Sequence, residues 1–469
     1  MSLTEDAPRG TDEIPGQLTS HPVGSIRELW TLFFPIMMSL LASGSMVLFD
    51  RIFLAHYSTT AFSAVSEAAM FFMTFEYTVN MLVAAAEVLV GKAYGAARYD
   101  AVARPVWAMI WASLFSSLLF IPLGLFGSAY LFAGSPHPEY SCRYFSTLCF
   151  FGPIFALNTA LSSFWIGRGR MQFITMIIIG INVLNIGIDP ILIFGLGPIP
   201  SLGGGGAALA RGISQTLLAL MLFAFFFSKA NRQRYGTWNP HFEWKTFVEA
   251  FSFGLMNSLS MLGQCSAWSV FWRIMALAGQ THAIANSISD AMYFFFTFFI
   301  EGAAKAISSV VSNVVGAGRY DDLTRVIGTG VKFIFGFGIL LAVFYALFPN
   351  FILHLFVPDG TSMEGIIWSH LQLTLIPIWL VMIGESFLIM WAGVLLAFDE
   401  ARFAFITSTI FVWGIGVIPS YFIVFNLHAP AYVVLGVASS YYIITTAAYL
   451  VRIREKLTLF RGQKQAVIA

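Results

Sequence analysis

Residues 171–196 read MQFITMIIIGINVLNIGIDPILIFGL, and the reading of this stretch decides the fold. A helix needs roughly 20 apolar residues to cross a hydrocarbon layer about 30 Å thick, and this run supplies them. A soluble helix would carry a continuous polar face. Here the two amides and the one acid, Asn182, Asn185 and Asp189, are spaced so that they share a single side. A carboxylate at mid-membrane costs at least about 2.5 kcal/mol on insertion scales, so Asp189 needs a task or a partner. Pro190, the next residue, lacks the N–H that would close a helical hydrogen bond and so permits a bend.

The rest of the 469-residue chain has the same character. Hydrophobic residues make up 58% and charged residues 10%, against roughly a quarter charged in soluble domains. The deficit implies lipid as the solvent. The apolar-run rule gives twelve spans, at 29–49, 61–91, 104–126, 144–166, 171–196, 205–228, 246–277, 283–315, 326–348, 366–397, 402–425 and 430–452. They are helices, since the alternation of a transmembrane barrel is absent. The net charge of +1 gives no reason to expect nucleic acid. Cys142, Cys149 and Cys265 are too few and scattered for a disulfide framework or a metal site. No nucleotide fingerprint or zinc-protease motif occurs, and Gly203 to Gly206 lack the Lys of a phosphate loop. No cofactor and no enzymatic activity are expected.

Lys and Arg set the orientation. Nineteen of the 25 fall in one set of loops (among them Lys92, Arg98, Arg104, Arg168, Arg170, Arg319 and Arg402) or in the termini, from Arg9 and Arg27 to Arg461 and Lys464. Both termini are therefore expected in the cytoplasm of a cell whose plasma (bacterial inner) membrane holds the protein. The chain also repeats. Gly95-Ala96-Ala97-Arg98-Tyr99-Asp100 returns as Gly316-Ala317-Gly318-Arg319-Tyr320-Asp321, and Ser66-Glu67-Ala68 returns as Ser289-Asp290-Ala291. Phe173-Ile174-Thr175 returns as Phe405-Ile406-Thr407. A six-helix repeat enters the membrane twice from the same side, so the pseudo-axis runs along the membrane normal. The organisation read from this is a disordered tail at 1–24, an N-lobe at 25–228, a linker at 229–245, a C-lobe at 246–452 and a tail at 453–469. The fold class is all-α integral membrane: twelve transmembrane helices in two pseudo-symmetric six-helix bundles.

The segment from Pro35 to Asp50-Arg51-Ile52-Phe53-Leu54-Ala55, then Gly91 to Ala96, Asn185 to Ala210, Gly393-Val394-Leu395 and Asp399 to Arg402 together resemble the multidrug and toxic compound extrusion (MATE) family. The likeness runs from about residue 25 to 450. It implies a cation site in the N-lobe formed by Asp50, Asn158, Asn185 and Asp189, and a carboxylate position in the tenth helix at Glu385. The partner acid of that position, in the seventh helix, is Gln264 here, which cannot titrate. The lipid-linked oligosaccharide flippases of the wider superfamily share the fold.

Each of these residues also has a plain structural reading. Asp189, Asn185, Asn182 and Asn158 suit either an ion site or a hydrogen-bond cluster joining helices. Asp50 lies at the outer end of its span beside Arg51, where an interfacial ion pair is the alternative. Glu301 and Glu76 lie deep enough to draw cationic substrates, but Lys305 one turn from Glu301 points to an ion pair. Glu67 and Asp290 sit within the first turns of their spans, where the helix dipole favours them. Pro35 and Pro190 are the expected bending points.

The resulting expectation is a monomeric secondary transporter exchanging a cation for small organic cationic or amphipathic compounds by alternating access. The amide-flanked acids serve H⁺ or Na⁺, and the missing second C-lobe acid favours H⁺. A flippase cavity would need several Arg or Lys for pyrophosphate, and few lie deep here. A narrow metabolite carrier is the nearer alternative, and a channel or membrane-embedded enzyme the more distant.

Overall fold

A computed structural model describes residues 17–240, 242–356 and 366–468. Among them twelve long helices follow one another. They are α1 Ile26–Tyr57, α2 Thr59–Gly95, α3 Tyr99–Leu131, α4 Pro138–Ile166, α5 Met171–Phe194 and α6 Gly204–Phe226. Then come α7 Trp244–Leu277, α8 Gln280–Gly316, α9 Tyr320–Leu347, α10 Ile366–Ala397, α11 Ala401–Phe425 and α12 Ala431–Ile468. Eleven are long and apolar enough to cross a membrane. The twelfth, α7, falls short because Asn257, Ser258, Gln264 and Arg273 dilute its apolar run.

Helix starts follow from local chemistry. At α1 the Ser25 hydroxyl accepts the Glu28 N–H at 3.2 Å while the Glu28 carboxylate accepts the Gly24 N–H at 2.7 Å. This exchange is a variant of the capping box. At α2 the Ser58 side chain accepts the Ala61 N–H. These caps alter one expectation. Residues 17–24 were read as part of a disordered tail, yet Leu18, Thr19 and Val23 are buried. Leu18 packs where a Cβ on Gly169 would stand. Residues 1–16, with Arg9, lie outside the described residues.

The repeat has a structural counterpart at the helix ends. Ala97 and its mate Gly318 both adopt left-handed backbone, φ 55° and 66°. Each stands two residues before the next long helix. Gly169 and Asp399, φ 73° and 62°, hold the same place before α5 and α11. The following N–H reaches back five residues in three of these turns: Arg98 to the Ala93 carbonyl, Arg170 to Trp165 and Glu400 to Leu395. A left-handed residue with that long bond is the Schellman way of closing a helix.

Two compact units can be distinguished. The first holds residues up to Ser20, Phe34–Ser258 and Ser312–Gly318; the second holds His21–Phe33, Leu259–Val311 and Arg319 onward. The start of α7 thus packs within the first unit. A Cβ on Gly254 would fall on the Leu82 carbonyl, Asn257 Nδ2 donates to the Met81 carbonyl and Ser258 Oγ to the Thr78 carbonyl at 2.8 Å. Also within the first unit, α2 crosses the end of α8. A Cβ on Gly91 would meet Ser312, one on Gly95 would meet the Asn313 backbone, and one on Gly316 the Lys92 backbone. Asn313 Nδ2 fastens this crossing to the Gly167 carbonyl at 2.8 Å.

Candidate functional site

In the first unit, α5 carries Asn182, Asn185 and Asp189 on one buried face, with Asn185 and Asp189 fully enclosed. Asn182 Nδ2 donates to Ser43 Oγ of α1 at 3.1 Å, and Thr175 Oγ1 of α5 donates to the Pro35 carbonyl at 2.7 Å. These two bonds hold α1 along α5. They bring Asp50 to Asp189, whose carboxyl groups stand within reach of a shared hydrogen bond. As two carboxylates neither can donate, and Asp50 Oδ1 and both Asp189 oxygens are buried without a partner.

Asp50 is therefore not at a span end. α1 runs on to Tyr57, about two turns further, and Asp50 is buried. Arg51 beside it is exposed, and the interfacial Asp50–Arg51 ion pair does not form among the described residues. Asn158 of α4 turns to α6, where its Nδ2 donates to the Gln215 carbonyl at 2.9 Å and to Gln215 Oε1 at 2.8 Å. Its Oδ1 is left buried and unpartnered, as are both polar atoms of the Asn185 amide. Pro190 lies inside α5 immediately after Asp189, and Pro35 inside α1.

A third acid joins this cluster. Arg211 of α6 donates to both oxygens of Glu76 of α2, at 3.0 and 3.2 Å, with the two side chains only 10% and 12% exposed. The guanidinium also lies 4.9 Å from the Phe155 ring centroid, beside Tyr144, and its charge reaches Asp50 and Asp189. The sequence places Glu76 and Arg211 deep in their spans but does not pair them, since they lie on different helices. Two rare deep charges of opposite sign were the available signal. Gln215, one turn after Arg211 on α6, had the signal of sharing its face.

In the second unit Glu385 of α10 is buried beside the Tyr442 hydroxyl of α12, within the electrostatic reach of Glu301. Trp268 stacks on Tyr442 with centroids 6.0 Å apart. Gln264 does not join them; its Nε2 donates to Ser260 Oγ at 3.2 Å, and Ser260 bonds to Ser408 of α11. The expected Glu301–Lys305 ion pair is not made among the described residues, although Lys305 acts on Glu301 through space. Glu67 accepts from Ser135 Oγ at 2.5 Å, and Asp290 accepts from Asn286 at 3.2 Å, so both have local structural partners.

The MatE family model matches residues 35–191 and 250–422, which is most of the chain and both copies of the repeat. The chain belongs to the MatE family. This MatE protein is similar to "Probable multidrug resistance protein NorM" of Listeria monocytogenes, 22% identical over 456 residues, covering 92% of this chain and 94% of the relative. It is likewise similar to "Probable multidrug resistance protein YoeA" of Bacillus subtilis, 25% identical over 367 residues and covering 74% and 75%. The solved structure of an outward-facing multidrug resistance MATE family transporter of the MOP superfamily superposes with a TM-score of 0.80 at 18% identity, covering 93% of this chain and 96% of that one. A MOP superfamily transporter from Pyrococcus furiosus, described as having a binding pocket of reverse polarity, superposes with a TM-score of 0.79 at 18% identity and the same coverage. The MatE protein is a multi-pass membrane transporter of small molecules, driven by a cation gradient, and not an enzyme.

Proposed function

We propose that this MatE protein is a proton-driven antiporter, working as a single chain with both termini in the cytoplasm, that exports organic cations or amphipathic drugs. The close approach of Asp50 and Asp189 carries the reading. Two buried carboxylates facing one another repel, and one proton converts the repulsion into a donor–acceptor pair. Arg211 supports the choice of H⁺, because its fixed charge beside the acids raises the cost of a second, dehydrated cation. The NorM and YoeA names of the relatives support drugs as the substrate class. Loading the pair from outside removes negative charge from the α1–α5 contact and lets these helices bend at Pro35 and Pro190. Each charge moved across the membrane brings about 2.3 kcal/mol per 100 mV. Two lobes, 25–228 and 246–452, joined by 229–245, alternate access in this scheme, with Glu385 as a second acid of the C-lobe.

The unpartnered amide oxygens of Asn158 and Asn185 favour Na⁺ as a second reading, since with the two acids they form an oxygen-rich set. Efflux of ethidium from cells, measured with a pH gradient and then with a Na⁺ gradient, separates the two. Export that needs the pH gradient and is lost in Asp189→Asn, with the variant present in the membrane, is the expected result. Export by Asp189→Asn equal to the wild type would sink the proposal, and export that follows Na⁺ alone would replace H⁺ by Na⁺.

A further inference from the structure

Within the first unit, a cleft of about 480 Å³ lies between the start of α3 and the chain entering α7. This volume falls within the range of small-ligand sites. None of its lining belongs to the acid cluster around Asp189. One wall is a stripe on α3: Asp100, Arg104, Trp107 and Trp111 recur at helical spacing and face the cleft together. The stripe runs from charge to aromatic over roughly 16 Å, at 1.5 Å per residue. The opposite wall is the chain from Gly236, near the Asp100 carbonyl, to Phe242, against Trp111 and Phe115, and it adds Glu243 and Phe247 to the lining.

The charges of the cleft are unspent. The side chains of Asp100, Arg104 and Glu243 are exposed and make no ion pair or hydrogen bond among the described residues. The aromatic end also keeps one free donor. Trp107 Nε1 donates to the Thr237 carbonyl at 3.0 Å, whereas Trp111 Nε1 is buried with no partner. The rim beyond it is apolar and exposed, with Phe115 49% and Trp244 68% accessible, as expected where a span end meets headgroups.

We propose that this cleft holds one phospholipid whose headgroup carries both a phosphate and a primary ammonium. Arg104 takes the phosphate, Asp100 and Glu243 take the ammonium, and Trp111 donates to an ester carbonyl. The indole and phenyl faces cover the first acyl carbons. Two carboxylates against one guanidinium exclude a purely anionic headgroup, because its charge would face a net negative lining. A soluble zwitterion would leave the aromatic walls uncovered.

Native mass spectrometry of the full chain, released from micelles holding equal amounts of phosphatidylethanolamine, phosphatidylcholine and phosphatidylglycerol, tests the assignment. One phosphatidylethanolamine should be retained about tenfold over either competitor, the scale of a lost charged hydrogen bond. The double variant Asp100→Asn with Glu243→Gln should lose that preference, as should Arg104→Gln. These side chains are exposed and unpaired, so the variants should fold and melt like the wild type. Trp111→Phe keeps the ring, and should weaken retention without changing which headgroup is preferred. Equal retention of the three lipids, or an unchanged preference in the double variant, would overturn the proposal. Displacement of the lipid by an equal concentration of glycerophosphoethanolamine would overturn the role of the aromatic walls and with it the choice of a bilayer lipid.

Discussion

Arg211 cannot shed its proton, and at 10% exposure it meets little water. Its stability rests on Glu76. Removing one member of such a pair leaves the other charge buried and costs about 3–5 kcal/mol, whereas replacing both by apolar groups of similar size is often neutral. Thermal unfolding of the purified protein should therefore show Glu76→Gln strongly destabilised, with the double variant Glu76→Leu, Arg211→Met close to wild type. Equal losses in both would mean that the ion pair does more than neutralise itself. The contrast with Asp189 is instructive. Its place in a lipid-solvated span was legible from the residues around it, because a lone acid among apolar neighbours announces itself. The pairing of Glu76 with Arg211 was not legible, because α2 and α6 are brought together by packing that no local spacing encodes.

At the scale of an element, the glycines of one helix face different surroundings from those of another. Gly180 of α5 is exposed, and a Cβ there would meet nothing within 4 Å. Gly180→Ala should raise stability by about 0.5–1 kcal/mol by restoring helix propensity. Gly95 of α2 lies against the Asn313 backbone, so Gly95→Ala should cost about 1–3 kcal/mol through overpacking. Chemical unfolding of both variants against the wild type checks the sign of each. The apolar runs located the helices, but their ends were read short. Asp50 was placed at a span end because Asp50-Arg51 interrupts the apolar run, whereas α1 continues to Tyr57 with Arg51 turned outward. The helix α7 was legible from its sequence, but its apolar run falls short of a span because polar residues such as Asn257 and Ser258, which bond to α2 carbonyls, dilute it.

Over the whole molecule, the twelve-helix plan followed from composition and from a repeat in register, and the match of the family model to both copies agrees with it. The last helix is tied by charge to the turn between α10 and α11. Glu400 accepts from Arg452 at 3.1 Å and from Lys456 of α12. Burial alone would raise the Glu400 carboxyl, but the hydrogen bonds and charges of Lys456 and Arg452 outweigh it and hold the group below the usual carboxylate range. The folded value is the depressed one, so this tie is complete above the ordinary carboxylate range and is lost as pH falls through the folded value. Hydrogen exchange in the 448–458 stretch should therefore quicken at acid pH, and Glu400→Gln should show the quick exchange already at neutral pH. Unchanged protection in Glu400→Gln would refute the tie.

The crossing of α2 with the end of α8 has a different kind of consequence. Gly95 is held by Asn313, Gly316 is held by Lys92, and Asn313 and Lys92 are mates in the repeat. The two contacts are reciprocal in the repeat, since each glycine lies against the mate of the residue that contacts the other. Elsewhere the copies have diverged, as Asp290 against Glu67 and Gly318 against Ala97 show. At the crossing each copy forbids the other a side chain, so glycine stands in both copies at that point even though the residues it lies against, Lys92 and Asn313, differ.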